Sequence, residues 1–277
     1  PTRCLMHKKD QQFITTVHNY YCEHGRHSLL WRRTNNPYRI VVSEIMLQQT
    51  QVDRVVPKYR AFLRQFPTAK KLATASLAEV IKVWQGLGYN RRAKLLQQCA
   101  QVITNEYGGR WPQTYIKLTS LPGIGPYTAG AVMAFAYNQA VPLIETNVRT
   151  VYLHHFFPND TDVTDKYILT LVERHLPHVG DARVWYAALM DYGSYLKKTH
   201  GNPNSRAAGY VKQSTFKGSD REVRGAIVRT LTQTPQSRTQ LRQALKHLDT
   251  VKIDAQLERL LAEAMIIKQG REYQLST

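Results

Sequence analysis

The stretch Leu121-Pro-Gly-Ile-Gly-Pro-Tyr-Thr-Ala-Gly130 is the sequence feature that most constrains the fold. A helical pattern continues from it to Tyr137, so it predicts a helix, a tight hairpin and a second helix. Gly123 and Gly125 can adopt positive φ and leave the backbone uncovered, and Pro126 suits a first helical turn. The second helix would then present bare N–H groups to an anion. An ordinary helical corner with glycines for packing explains this stretch equally well.

The charge balance favours a nucleic-acid phosphate as that anion. The 277 residues carry a net charge of +18, of which only about +4 lies beyond residue 216. A strongly basic body indicates a surface that meets polyanions. The sequence has no membrane-length apolar run and no signal peptide, and Cys4, Cys22 and Cys99 form neither a disulfide framework nor a metal motif. We therefore expect a cytoplasmic protein, nucleoid-associated in a bacterium.

A carboxylate among apolar residues marks a first candidate for chemistry. A helical signal runs from Arg39 through Phe62, and Glu44 lies within it beside valines and an isoleucine. An uncharged polar run follows, comprising Gln48, Gln49, Thr50 and Gln51. Such a run suits hydrogen bonding to base edges. Taken alone, Glu44 is better explained as a surface carboxylate or a helix cap.

The segment Gly86-Leu-Gly-Tyr89 interrupts the helical pattern before a basic helix start. Leu87 and Tyr89 are flanked by glycines and followed by Arg91 and Arg92. This predicts either an exposed apolar wedge beside a phosphate track or a buried Leu-Tyr pair in a helical corner.

A second carboxylate, Glu145, precedes a predicted helix that begins at Val148. Thr146 or Asn147 could cap that helix, and Glu145 could be a simple partner of the helix dipole.

The C-terminal residues form a separate pattern. Three helices are predicted over 221–231, 237–248 and 253–265, followed by two strands joined at Gly270. Three helices and a hairpin are typical of a winged helix. Its third helix carries Asp254, Glu258 and Glu263, which suits docking on the body or a partner better than reading a DNA groove.

Together these segments resemble the helix-hairpin-helix DNA glycosylases, specifically the MutY type of adenine glycosylase. The resemblance covers about residues 10–198. It rests on motifs in the family's order and spacing, namely 30–32, 43–52, 85–89, 121–130 and 145–148. It implies a mainly α, two-lobed all-helical glycosylase core that binds DNA and flips a base out of the duplex.

The resemblance also implies catalytic roles. Glu44 falls on the acid that protonates the departing purine, which requires a protonated carboxyl in the complex, as burial under the flipped base would favour. Glu145 stands where the family almost always has Asp, to stabilise the oxocarbenium-like sugar. Asn147 matches the asparagine that orients the acidic pair. Tyr127 matches a tyrosine that some members of the family place against the sugar carboxylate. The bifunctional lyases have a lysine at this position, so we expect a monofunctional glycosylase.

The same resemblance implies contacts with DNA, and it places Gln49, Thr50, Leu87 and Tyr89 beside the base opposite the flipped one. The residues expected at them are Gln48, Gln49, Thr50, Leu87, Gly88, Tyr89, Arg91, Arg92, Gly123, Ile124, Gly125, Tyr127 and Thr128. The backbone carbonyls of Thr119, Leu121 and Ile124 are expected to hold a structural Na⁺ or K⁺ ion beneath a phosphate.

Two departures from the family pattern matter. Residues 199–215 contain none of the four cysteines that usually bind an iron–sulfur cluster there, so we expect no cluster. The chain ends in the predicted winged helix instead of the NUDIX-like domain with which MutY proteins recognise 8-oxoguanine.

We therefore predict a glycosylase core over residues 1–198, with a six-helix lobe at about 39–140 and a second lobe from 1–38 plus 141–198. A linker at 199–215 and a winged-helix domain at 216–277 follow. The expected function is excision of a mispaired base from duplex DNA by a monomer, with adenine opposite 8-oxoguanine or guanine favoured. The alternatives are another base, such as thymine or uracil opposite guanine or a modified purine, and a catalytically impaired DNA-binding repair factor.

Overall fold

The structure, a computed structural model, describes residues 7–213 and 215–276; Cys4 lies outside them. The α-helices are α1 (Lys8–His24), α2 (Pro37–Leu47), α3 (Val52–Gln65), α4 (Ala69–Ala73), α5 (Leu77–Trp84), α6 (Arg91–Asn105), α7 (Tyr115–Thr119), α8 (Pro126–Tyr137), α9 (Thr146–Phe156), α10 (Asp165–His175), α11 (Ala182–Thr199), α12 (Asp220–Leu231), α13 (Arg238–Ala244) and α14 (Thr250–Ala262). Short 3-10 turns lie at Leu30–Arg33, Leu176–His178 and Pro203–Arg206, and the strands are β1 (Gln236–Ser237), β2 (Ile266–Gln269) and β3 (Glu272–Leu275). In this described part, none of the helices combines the length and apolar character that a bilayer crossing requires.

The chain divides into two compact units. The first comprises residues up to Val41, Gln113–Ser120 and Ile124–Lys212, and the second Val42–Pro112, Leu121–Gly123 and the residues from Gln213 onward. This division groups α8 with the first unit and the C-terminal module with residues 42–112. The domain boundaries given from sequence stay predictions.

The first unit is built on an aromatic core between α1, α9 and α11. The Phe13 ring lies 5.2 Å from the ring of Tyr152 and 5.8 Å from that of Trp185, both edge-on. Trp185 and Tyr186 are fully buried. Burying side chains of this size stabilises the unit by roughly 1.5–3 kcal/mol each.

The second unit begins with a break that the sequence pattern did not reveal. The helix predicted from Arg39 through Phe62 was wrong as one continuous element: α2 ends at Leu47 and α3 begins at Val52. Between them Gln49 takes a left-handed φ of 54°, which ends the helical hydrogen bonding. Periodicity alone could not show this, because apolar spacing continues on both sides of the break.

The C-terminal module of the second unit, defined as residues 216–276, has winged-helix elements. Its antiparallel sheet has the order β1-β3-β2, with Ile266 opposite Leu275 and Gln236 opposite Tyr273. The two-strand prediction therefore missed β1. This strand of only two residues is too short for an alternation pattern to reveal.

The acidic residues Asp254 and Glu258 of α14, and Glu263 at its C-cap, form ion pairs within the module. The pairs are Asp254 with Arg242, Glu258 with Arg238 and Glu263 with Arg224. The module also docks on the helices of its own unit: Lys94 Nζ donates to the carbonyls of Glu263 and Ala264 at 2.6 and 2.9 Å. These contacts support docking over groove reading.

The segment predicted as a linker is partly folded onto the first unit. Asn204, in the 3-10 turn, is buried and donates a hydrogen bond to Thr150 Oγ1 at 2.7 Å. Arg206 donates to the carbonyls of Phe157, Pro158 and Leu153 near the end of α9. The turn thus satisfies carbonyls that a helix end leaves unpaired.

Candidate active site

Glu44 lies on α2 in an apolar setting, as its sequence neighbours predicted. Its side chain is 5% exposed, and Val41, Val42 and Ile45 around it are fully or almost fully buried. Glu44 is therefore a buried carboxyl at the position that the resemblance assigns to the acid.

Arg92 holds the end of α2 and the Gly86–Tyr89 loop together. Its Nη1 donates to the carbonyls of Ile45 and Gln48, both at 2.6 Å, and of Met46 at 3.2 Å. Its Nη2 donates to Thr50 Oγ1 and to two loop carbonyls, those of Leu87 and Gly88. Burial lowers the pKa of the guanidinium to about 10, so it remains charged at neutral pH.

The sequence prediction that Arg92 contacts DNA is not supported by this arrangement. A guanidinium with both terminal nitrogens engaged by six protein acceptors is an internal clamp. Arg91, the neighbouring residue, is exposed at the start of α6 and is the better phosphate partner of the two.

The predicted wedge separates into a buried and an exposed residue. Leu87 is 3% exposed and belongs to the core, whereas Tyr89 is 37% exposed. The wedge prediction is therefore wrong for Leu87, whose side chain packs inward. Gly88 has φ 73° and Tyr89 has φ 48°, so two successive left-handed residues turn the chain here.

Gln48, Gln49 and Thr50 occupy the turn between α2 and α3. Thr50 is buried and donates to the Gln48 carbonyl at 3.2 Å, with the Leu87 carbonyl 3.5 Å from its hydroxyl. Gln49 is exposed and Gln48 half-buried. The structure thus brings Thr50 to Leu87 and leaves Gln49 the more accessible of the two amides.

The hairpin follows the prediction at one glycine and not at the other. Gly123 has φ 74°, and a Cβ built there would lie 2.8 Å from Leu95 Cβ, so a side chain is excluded by both conformation and space. Gly125 has an ordinary φ of −83° and precedes Pro126 as the N-cap of α8. The side chains of Ile124 and Thr128 are buried, which leaves only their backbone for a phosphate contact.

Glu145 is itself the N-cap of α9, which begins at Thr146 rather than at Val148. Its Oε1 accepts hydrogen bonds from the backbone N–H groups of Asn147 at 2.7 Å and Val148 at 2.9 Å. Thr146 and Asn147 were therefore the wrong cap candidates. The longer Glu side chain reaches the N2 and N3 positions that a cap must satisfy.

The second carboxylate oxygen of Glu145 is held more loosely. Asn147 Nδ2 donates to Oε2 at 3.3 Å. Its role in orienting the acidic pair stays a prediction. Burial raises the pKa of the Glu145 carboxyl, although the two backbone N–H groups and the Arg149 charge act in the opposite direction. Tyr127, the second residue of α8, lies half-buried in the same unit.

Gly193 in α11 is a residue that the sequence reading missed. A Cβ built there would lie 2.8 Å from the carbonyl carbon and Cβ of Asn147. The absence of a side chain therefore lets α11 approach the start of α9. A glycine inside a strong helical pattern was the available signal, because it marks either a weak point or a close approach.

The two cofactor predictions, a structural Na⁺ or K⁺ ion at the hairpin and no iron–sulfur cluster, both stay predictions. Among the described residues no cluster of three or more His, Cys, Asp or Glu could hold a metal, and a site made of the Thr119, Leu121 and Ile124 carbonyls stays a prediction. The residues present do not fit an iron–sulfur cluster. Cys22 is exposed on α1, Cys99 is buried in α6, and residues 199–215 supply no thiolate.

Comparison with protein families identifies the class. Residues 42–177 match the HhH-GPD superfamily of base excision DNA repair proteins. The chain belongs to this superfamily.

Individual relatives narrow the comparison. The chain is 37% identical over 263 residues to an adenine DNA glycosylase of Mycolicibacterium smegmatis, covering 88% of this chain and 89% of the relative. It is 35% identical over 272 residues to an adenine DNA glycosylase of Mycobacterium tuberculosis, covering 89% and 88%. Among solved structures it resembles a thermostable thymine-DNA glycosylase, with a TM-score of 0.62 and 27% identity over 73% of this chain and 93% of that one.

Proposed function

We propose that this protein is a monofunctional adenine DNA glycosylase of base excision repair. The observation that carries the proposal is the buried Glu44 on α2, in a chain that aligns over nearly its whole length with adenine DNA glycosylases. The substrate is duplex DNA with adenine opposite 8-oxoguanine or guanine, and the basic body supplies the sequence-independent part of binding. The protein acts as a monomer and needs no iron–sulfur cluster.

Glu44 acts as the general acid. It donates its proton to N7 of the flipped adenine, and the N9–C1′ bond then breaks with its electron pair leaving on the base. Its apolar surroundings favour the neutral carboxyl before the step. The resulting carboxylate accepts a proton from the attacking water, which adds its oxygen to C1′ and yields free adenine and an abasic site.

Glu145 stabilises the positive charge that develops on the sugar. Oε1 is committed to the start of α9, and we assign this role to Oε2, which accepts a hydrogen bond from Asn147 Nδ2 at 3.3 Å. A fixed negative group is more effective than water because it needs no reorganisation during the reaction. The extra methylene of Glu relative to Asp is accommodated by the capping geometry.

The enzyme stops at the abasic site. A lyase step requires an amine that forms a Schiff base with C1′, and position 127 carries Tyr instead of Lys. The DNA strand therefore remains uncut until alkali is added.

Single-turnover excision tests this proposal. Labelled duplexes carry A opposite 8-oxoguanine, G or C, and T or U opposite G, and are sampled with and without alkali. We expect cleavage of an adenine duplex only after alkali, and loss of at least about a hundredfold in rate for Glu44→Gln, as expected of a general acid. A Glu44→Gln protein that excises at the wild-type rate would overturn the assigned role.

The similarity to the thymine-DNA glycosylase structure supports a second candidate function, the excision of thymine or uracil opposite guanine. The same panel of duplexes decides between adenine excision and thymine or uracil excision. Conversion of T·G or U·G without conversion of any adenine duplex would show that the substrate base is thymine or uracil. Binding of every duplex with no abasic product from any would favour a DNA-binding repair factor.

A further inference from the structure

Gln213, just before the C-terminal module, and Arg221, within it, contact residues that the resemblance places beside the base opposite the adenine. Gln213, just before the module, donates from Nε2 to Tyr89 Oη at 2.5 Å and to Gln49 Oε1 at 3.3 Å. Arg221, in the first turn of α12, donates from Nη1 to the same Tyr89 Oη at 2.9 Å. These four residues all belong to the second unit.

The phenol of Tyr89 is fixed on several sides. The guanidinium carbons of Arg92 and Arg221 lie 5.4 and 6.0 Å from the centre of its ring, within the range of cation–π attraction. Because Tyr89 Oη accepts hydrogen bonds from Gln213 and Arg221, both of its acceptor positions are used. These two contacts leave its own O–H as the donor of the phenol group.

The backbone indicates that this arrangement is maintained by its surroundings. Gln49 and Tyr89 are both non-glycine residues with positive φ, 54° and 48°. Such conformations cost about 1–3 kcal/mol each and persist where neighbouring contacts impose them, often at ligand-binding positions. Both residues remain accessible, since Gln49 is exposed and Tyr89 is 37% exposed.

We propose that Gln213 and Arg221 are positioning residues that orient Tyr89 and Gln49 and thereby set the selectivity for the base opposite the excised adenine. The oriented Tyr89 O–H favours an opposite base that presents a hydrogen-bond acceptor where the other bases have none, such as the C8 carbonyl oxygen that 8-oxoguanine has and guanine lacks. This inference rests on the proposed glycosylase function. It assigns to the C-terminal residues a contribution to opposite-base recognition that the helical core alone does not make.

The test compares the double variant Gln213→Leu/Arg221→Met with a matched control, Gln269→Leu/Arg271→Met. The control removes the same side-chain types from exposed positions on the hairpin of the module. Single-turnover excision is measured for adenine opposite 8-oxoguanine, G and C. Thermal unfolding verifies that both variants fold like the wild type.

We expect the ratio between the fastest and slowest opposite base to fall about tenfold in the test variant, the effect of losing one well-oriented hydrogen bond. The control should leave that ratio unchanged. Tyr89→Phe should lower the ratio by a similar factor, and adding it to the double variant should cause little further loss, because all three changes remove the same contact.

Three results would overturn the inference. The first is an unchanged ratio. The second is an equal fall in rate for every duplex, together with a reduced salt dependence of binding, which would make Arg221 a phosphate contact. The third is full additivity with Tyr89→Phe.

Failure of the proposed function gives a different result. If the wild type excises adenine from none of the duplexes, the same variants are compared by the ratio of their dissociation constants for the three duplexes. If the wild type distinguishes the three duplexes in binding and the test variant lowers that ratio of dissociation constants about tenfold, the inference is still supported. If the wild type binds all three duplexes equally, the inference is overturned.

Discussion

Replacing Arg92 with Met tests whether this residue is an internal clamp or a DNA contact. Methionine keeps an apolar stem in the buried site but removes the donors that reach the carbonyls of Ile45 and Gln48 at 2.6 Å. Each buried acceptor left without a donor costs about 1–3 kcal/mol. Part of this cost is offset because the guanidinium no longer has to be desolvated, so we expect a net loss of about 3 kcal/mol in the free energy of unfolding.

The catalytic effect follows from the position of Glu44. Arg92 anchors the carbonyl of Ile45, the residue next to Glu44 on α2, and also the loop that carries Tyr89. A displacement of about 1 Å in a catalytic group can cost on the order of a hundredfold in rate. We therefore expect the single-turnover rate to fall by about that factor in Arg92→Met. Arg92→Lys should recover only part of the rate, because an ammonium has three donors at one point and cannot span both sets of carbonyls.

Arg91→Met is the matched control, since Arg91 is adjacent but exposed. We expect Arg91→Met to change the free energy of unfolding by less than about 0.5 kcal/mol. It should also reduce the steepness with which the logarithm of the DNA-binding constant falls with the logarithm of the salt concentration, by about 0.9, the effect of one lost phosphate contact. Chemical unfolding and duplex binding at several salt concentrations provide these values. The reasoning is refuted if Arg92→Met unfolds like the wild type and instead shows the reduced salt slope.

Three further predictions concern other parts of the chain. In Gly193→Ala the new methyl would meet Asn147, so we expect a loss of about 1–3 kcal/mol from overpacking and slower excision; normal stability with normal activity would contradict the close approach. The Glu145 carboxyl has a raised pKa in the folded state, so its contribution to stability is full below its ordinary pKa and is lost as pH rises through the raised value. Activity should rise over the same pH range, because the proposed mechanism uses the Glu145 anion. Glu145→Gln should remove that part of the pH dependence of the melting temperature, and an unaltered profile would disprove it. Burial raises the pKa of the Cys99 thiol to about 12, so thiol-directed labelling of the native protein near pH 8, followed by peptide mapping, should modify exposed Cys22 and spare Cys99.

The two candidate catalytic carboxylates were recognisable because their signals are local. Glu44 lies among apolar residues in a helical pattern, and Glu145 immediately precedes a helix. Both signals come from residues adjacent in the chain, which is the range over which sequence patterns are informative. The prediction placed the cap of α9 one or two residues too late, at Thr146 or Asn147 instead of Glu145, because all three side chains can cap a helix.

The roles of Arg92, Leu87 and Gly193 could not be read in this way. A run of cations after a glycine loop predicts the same phosphate track whether a guanidinium points outward or inward. Leu87 likewise fits an exposed wedge and a buried corner equally well. These alternatives differ only in contacts with residues distant in the sequence, such as Ile45 for Arg92 and Asn147 for Gly193.

The sequence by itself determined the helical class, the hairpin at Gly123, the winged-helix elements and the candidate acids, because each depends on spacing and conformational preference within a short segment. The tertiary structure alone showed that Arg92 binds backbone carbonyls inside the protein and that acidic residues of α14 pair with arginines. It alone showed that Gln213 and Arg221 contact Tyr89. The physical reason is that burial and pairing free energies depend on neighbours brought together by folding, and the same side chain has a different role in each environment.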